Sequence, residues 1–262
     1  MVDLQLFRHP RFIGALLGMF AYAGCAQVMM TLLPFYLQNG LGFSAIASGL
    51  GMLPFALTML ICPRIGVRLS TRFAPATMMA SGLTLVGCGN LLSAWAVSNG
   101  GYLPFALAIA VTGAGAGLLN GDTQKNIMAC VPRERTGMAS GMSTTMRFSA
   151  IVLAIGVYGA LLSSQTGQLL HASLSAQGAQ WLGQTQGIAS RVVAGDMAAA
   201  MSLLPESAHT LIAPLARQAF VGGFSMLLWV AGLLALLGAL VVGTLMRNPI
   251  PAQPASQALV LE

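Results

Sequence analysis

The chain has 262 residues, 56% of them hydrophobic and only 7% charged, with a formal net charge of +6. Soluble globular domains average about a quarter charged residues, so this composition excludes that class. The excess of basic residues does not point to nucleic acid, because they stand singly or in short clusters between apolar segments, as membrane topology determinants do.

The N-terminus offers Asp3 and a short amphipathic patch, Leu4–Phe7, which predicts an interfacial helix before a first crossing and no cleavable signal peptide. Residues 12–63 and 73–121 then carry no charge, and each run is about 50 residues long. Turn-like patches interrupt them near the middle, at Asn39-Gly40-Leu41-Gly42 and Ser98-Asn99-Gly100-Gly101. One crossing needs roughly 20 apolar residues, so each run makes two. Backbone groups in lipid must be satisfied internally, and the runs lack period-2 alternation, so the spans are helices. The expectation is an all-α polytopic membrane protein with spans at 12–37, 45–66, 76–97, 102–128, 138–163 and 217–245. An outer loop at 164–216 and a disordered tail at 248–262 complete the chain.

Pro34 and Pro54 predict kinks in the first two spans. Gly113, Gly117 and Gly121 recur every four residues in the fourth span, and Gly137 and Gly141 begin the fifth. Small residues at that spacing let helices approach closely, so spans four and five are expected to pack as a tight hairpin. In the long loop, Leu203-Leu204-Pro205-Glu206-Ser207 reads as a stop followed by a helix start. Two or three short amphipathic helices are expected there, and His171 and His209 are read as solvated. Cys25, Cys62, Cys88 and Cys130 have no metal or redox spacing, so they read as apolar packing residues.

Nine basic residues fall on one side: Arg8, Arg11, Arg64, Arg68, Arg72, Lys125, Arg133, Arg135 and Arg247. Arg191 and Arg217 fall on the other, which predicts cytoplasmic termini in an inner membrane. Arg147 remains inside a span. Asp122 and Arg147 lie at matched depth on adjacent antiparallel helices, each on the order of 15 Å into the bilayer, so they are expected to meet. Either charge alone in lipid costs about 2.5–3.5 kcal/mol, so a pair or a watery cavity is required. Three readings remain open: a structural ion pair, groups on a substrate or ion path, and Asp122 as a protonatable carrier. Thr123, Asn120 and Gln27 are their weaker neighbours, and Lys125 is near enough to the interface to snorkel. Gly141-Met142-Ser143-Thr144 superficially resembles the serine motif of rhomboid proteases, but no later span carries a histidine base. Phosphate-binding loops, HExxH zinc sites and voltage-sensor arginine repeats are missing from the sequence, so no enzyme, metal or cofactor is expected.

Pro63-Arg64-Ile65-Gly66-Val67-Arg68-Leu69-Ser70-Thr71-Arg72-Phe73-Ala74-Pro75 resembles the short cytoplasmic loop of the major facilitator superfamily, with Gly66, Arg68 and Arg72 as its anchors. Thr71 stands where that loop has an acid, and Ala74 where it has glycine. Gly113–Arg147, the opening Leu6–Phe12, Leu33–Gln38 and Ala219–Phe224 are similar to the C-terminal half of fourteen-span, QacA/EmrB-like drug/proton antiporters. The resemblance implies one six-helix bundle of the major facilitator fold and export of amphiphilic or cationic small molecules against protons. It also implies that an N-terminal half or a second copy completes the cavity. A non-transporting remnant or scaffold and an uncoupled channel are the competing expectations.

Overall fold

The computed structural model describes residues 8–176, 183, 185–203 and 205–247. The expected patch at Leu4–Phe7, the tail at 248–262 and Leu204 lie outside the described residues. Among the described residues all regular structure is helical, and six helical segments are long and apolar enough to cross a membrane.

The first span runs from Pro10 to Gly40 in alternating pieces: α1 (Pro10–Tyr22), a π turn (Ala23–Gln27), α2 (Val28–Phe35) and a second π turn (Tyr36–Gly40). Pro34 lies in α2 immediately before the second π turn, and its carbonyl accepts a 3.2 Å hydrogen bond from Ser48 Oγ. The second span divides into α3 (Ala45–Gly51) and α4 (Leu53–Leu69) at Met52. Pro54 therefore sits in the first turn of α4, where its missing N–H removes no helical bond, and the break in the second span falls beside it at Met52. Gly100 and Gly101, at φ 75° and 102°, end α5 (Pro75–Asn99) because only glycine adopts that backbone without strain. The fourth span is also broken: α6 (Tyr102–Leu119) stops, Gly121 turns at φ 89°, and α7 (Asp122–Met128) restarts.

α8 (Thr136–Ala176) and α11 (Glu206–Leu245) are longer than the sequence spacing suggests and take in both ends of the 164–216 connection. Leu162, Thr166, Leu170 and Leu174 explain the extension of α8, because they recur every four residues and are all buried. They meet α9 (Thr185–Val193) and the adjoining length of α11. α10 (Met197–Met201) starts where the Asp196 carboxylate accepts from the Ala199 N–H at 2.8 Å.

Packing sets a row of helices in the order α4, α6, α5, α11, α8, with the first span seated against it through α1 and its π turn. Phe12, Met19, Tyr36, Met79, Phe105, Phe220 and Phe224 fill the centre of the bundle. The row does not close: α4 and α8, at its ends, make no substantial contact with each other. Only 17% of their most apolar windows is buried, against 61% for the first span.

The glycines fit this order and correct the expected hairpin. A methyl group on Gly113 would overlap the Phe55 carbonyl, and one on Gly117 would stand 2.9 Å from the Met59 carbonyl, so both face α4 and not the fifth span. Gly115 faces α5, where a methyl would stand 2.6 Å from the Gly82 carbonyl. Gly121 is a backbone hinge, and Gly137 and Gly141 meet nothing within 4 Å. The repeat thus serves one neighbour, α4, with a turn at its end, and Gly115 between its members serves α5.

Candidate functional site

Asp122 opens α7, and its carboxylate lies 3.5 Å from the Lys125 ammonium, one turn later. Lys125 is 70% exposed and Asp122 18%, so this pair is a weak local one. The expected contact between Asp122 and Arg147 is not formed among the described residues. Asp122 lies six residues, roughly 9 Å, before the end of α7, and Arg147 eleven residues, roughly 17 Å, after the start of α8.

The other sequence candidates also separate. Thr123 is buried and donates back to the Leu119 carbonyl at 3.2 Å, so its hydroxyl is occupied within its own helix. Asn120 is exposed at the break. Gly66 is buried against Leu118, whereas Arg68 and Arg72 are exposed together with Arg64 at the end of the bundle.

Gln27 closes the first π turn, and its side-chain carbonyl is buried without a hydrogen-bond partner. π turns are frequent at functional sites, and this one is surrounded by polar groups that sequence reasoning missed. Asn90 on α5 is 1% exposed and donates from Nδ2 to the Cys25 carbonyl at 3.0 Å, supporting the widened turn. Its own carbonyl oxygen is unpartnered. Cys25 Sγ lies 3.8 Å from the Tyr158 hydroxyl on α8. One turn earlier, the Tyr22 hydroxyl is buried without a hydrogen-bond partner among the described residues. A polar residue in an uncharged span was the signal available for Asn90, Gln27 and Tyr22, since such residues are costly in lipid unless they are used.

Arg147 is partly exposed and makes no salt bridge or hydrogen bond among the described residues. Around it Thr144, Thr145 and Ser149 are exposed along α8, the helix at the open end of the row. An apolar cavity of about 300 Å³ lies between α1, α8 and α11, lined among others by Phe20, Gly24, Ala150, Ala154 and Leu237. Cys25 and Tyr158 form its polar corner.

Six membrane-length helices among the described residues define a polytopic membrane protein. Residues 2–155, more than half of the chain, match the family model described as Major Facilitator Superfamily. The chain belongs to that superfamily, a family of transporters and not of enzymes. It is 28% identical over 250 residues to the multidrug efflux pump LfrA of Mycolicibacterium smegmatis, covering 95% of this chain and 48% of that protein. It is 35% identical over 125 residues to the uncharacterized transporter YebQ of Escherichia coli, covering 47% and 27%. It is 27% identical over 165 residues to the multidrug resistance protein Stp of Mycobacterium tuberculosis, covering 63% and 30%. The chain spans about half or less of the length of these relatives.

Proposed function

We propose that this chain is one six-span half, the C-terminal one, of a secondary transporter that exports amphiphilic small molecules in exchange for protons. The observation that carries the reading is the partly exposed Arg147 on α8, at the end of a helix row that does not close. A lipid-facing surface would not hold a lone cation at membrane depth, so this side of α8 faces a cavity or a second bundle. The similarity to efflux and resistance proteins, each about twice as long or longer, supports a partner half or a second copy as the other wall. Two six-helix bundles with the cargo between them would then alternate access by rocking.

Asp122 suits the proton-accepting role better than an ion-pair role, because its partner Lys125 is mostly solvated and easily released. Gln27, Asn120 and Thr123 take the lesser parts their positions allow, and the hydroxyl of Thr123 is the least accessible. The exposed Arg64, Arg68 and Arg72 mark the cytoplasmic end of an inner-membrane protein with both termini inside, where anionic headgroups hold them.

The test is dye efflux in proteoliposomes containing the chain alone and the chain with the N-terminal half of a full-length relative. Efflux is expected only with both halves present and is expected to stop when an uncoupler collapses the proton gradient. Efflux by the chain alone as a monomer would defeat the two-bundle account, and efflux that survives the uncoupler would defeat proton coupling.

A further inference from the structure

Arg217 stands at the end of the bundle opposite Arg64, Arg68 and Arg72, because the first span ends at Gly40 on that side and α11 runs away from it toward Arg247. Residues 219–245 of α11 carry no charge and extend roughly 40 Å, enough to cross the hydrocarbon core. Arg217 immediately precedes that stretch, so it lies at headgroup depth in the opposite leaflet. Its side chain is exposed and makes no salt bridge among the described residues. Asp196, an acid at the same end, is engaged by the Ala199 N–H. A methyl group on Gly42, which turns at φ 76°, would stand 3.2 Å from the Arg217 guanidinium. Glycine there leaves room for the guanidinium to lie against the turn between the first two spans. Beside it is a hollow of about 580 Å³ lined by Gly40, Ala213, Pro214, Arg217, Gln218 and Val221. That size falls within the range of about 300–1,000 Å³ typical of small-molecule sites.

We infer that this hollow holds the phosphodiester head of an anionic phospholipid from the leaflet opposite Arg64, Arg68 and Arg72. The lining has two characters. The Arg217 guanidinium and the Gln218 carboxamide supply N–H donors, and the planar guanidinium fork matches two phosphate oxygens. Ala213, Pro214 and Val221 supply an apolar wall for the glycerol backbone and the first methylenes of the acyl chains. The depth of Arg217 selects a lipid over a soluble anion, because the bilayer presents its phosphates at that level. A lipid seated there bridges the turn at Gly42 to α11 and so ties the first span to the last. The inference concerns binding alone and does not rest on the transport reading.

The experiment measures lipid retention by native mass spectrometry on the delipidated full chain in uncharged detergent. Arg64, Arg68 and Arg72 are replaced by Gln so that the opposite face does not contribute. Phosphatidylglycerol is expected to bind about tenfold more tightly than phosphatidylcholine of the same chains, the size of one charge-assisted interaction. Arg217→Gln should abolish that preference, and Arg217→Lys should retain part of it. Ala213→Phe fills the hollow and should weaken both lipids alike. Glycerophosphoglycerol, the same head without acyl chains, should not displace phosphatidylglycerol at equal concentration. Thermal melts establish that each variant is folded. If the triple replacement does not fold, Arg217→Gln in the unaltered chain should remove one of the retained phosphatidylglycerol molecules. Equal retention of the two lipids, or a preference that survives in folded Arg217→Gln, overturns the inference. Displacement by glycerophosphoglycerol also overturns it, since the hollow would then be a site for soluble anions. Loss of phosphatidylglycerol on adding an N-terminal half does the same, because Arg217 would then face that partner. Failure of dye efflux with lipid retention intact touches only the transport reading.

Discussion

Gly113 and Gly115 on α6 and Gly156 and Gly159 on α8 are glycines in membrane helices of one bundle, yet their surroundings are opposite. Backbone atoms of α4 and α5 press against the first pair, so even a methyl group has no room. Around the second pair nothing stands within 4 Å. The first pair lets helices touch in the structure at hand. The second leaves a shallow surface on the helix that borders the open end of the row. The contrast teaches that glycine content alone does not report packing: the same residue marks a finished contact on α6 and an unfilled one on α8.

The largest effect should come from breaking the finished side. Gly115→Leu would drive a side chain into the Gly82 carbonyl and the Val86 amide, costing more than about 4 kcal/mol, and should abolish recovery of folded protein in a detergent melt. Asn90→Ala is next, because the Cys25 carbonyl in the π turn loses its donor; a loss of about 1–3 kcal/mol is expected in chemical denaturation. On the unfilled side, Gly156→Leu should change stability by less than about 1 kcal/mol. The same substitution should reduce co-purification with a second half, and undiminished co-purification would place the partner elsewhere. Asp122→Asn removes only a solvated pair, so its stability cost should stay below about 1 kcal/mol while proton-coupled efflux is lost. The smallest effect concerns Cys130, just beyond α7. Burial pushes its thiol up, and the Arg11 charge only partly opposes this. The thiolate therefore forms at higher pH than for a free cysteine, and maleimide labelling should be slow near neutrality and rise with alkaline pH.

The six spans were legible because charge-free runs of membrane length and their turn-like patches are one-dimensional signals. The start of α11 after Pro205 was legible for the same reason. The break at Gly121 was not, since apolar residues continue up to it and only the backbone φ distinguishes a hinge from a packing glycine. Asp122 and Arg147 were matched by counting along the sequence, which sets a position along a helix but not the direction in which its side chain leaves. The length of α8 was hidden by serines and glutamines between 163 and 168 that read as loop. Its buried face there is explained by α9, which folds back against it, a contact that only three dimensions reveal. Tyr22 and Asn90 were visible as polar letters in apolar runs, but the support that Asn90 gives the Cys25 turn depends on a contact across 65 residues.

The widened turn at Ala23–Gln27 also has a bearing on ancestry. A π turn accommodates one residue more than an α-helix would, so everything after it is rotated by about 100° relative to an uninterrupted rod. Deleting one residue there would swing the Met30–Thr31 edge to a different compass bearing while leaving the hydropathy profile nearly unchanged. Any homologue with a straight first helix must therefore be aligned with a one-residue gap in mid-membrane, and positions counted across that point without it would be compared one step out of phase.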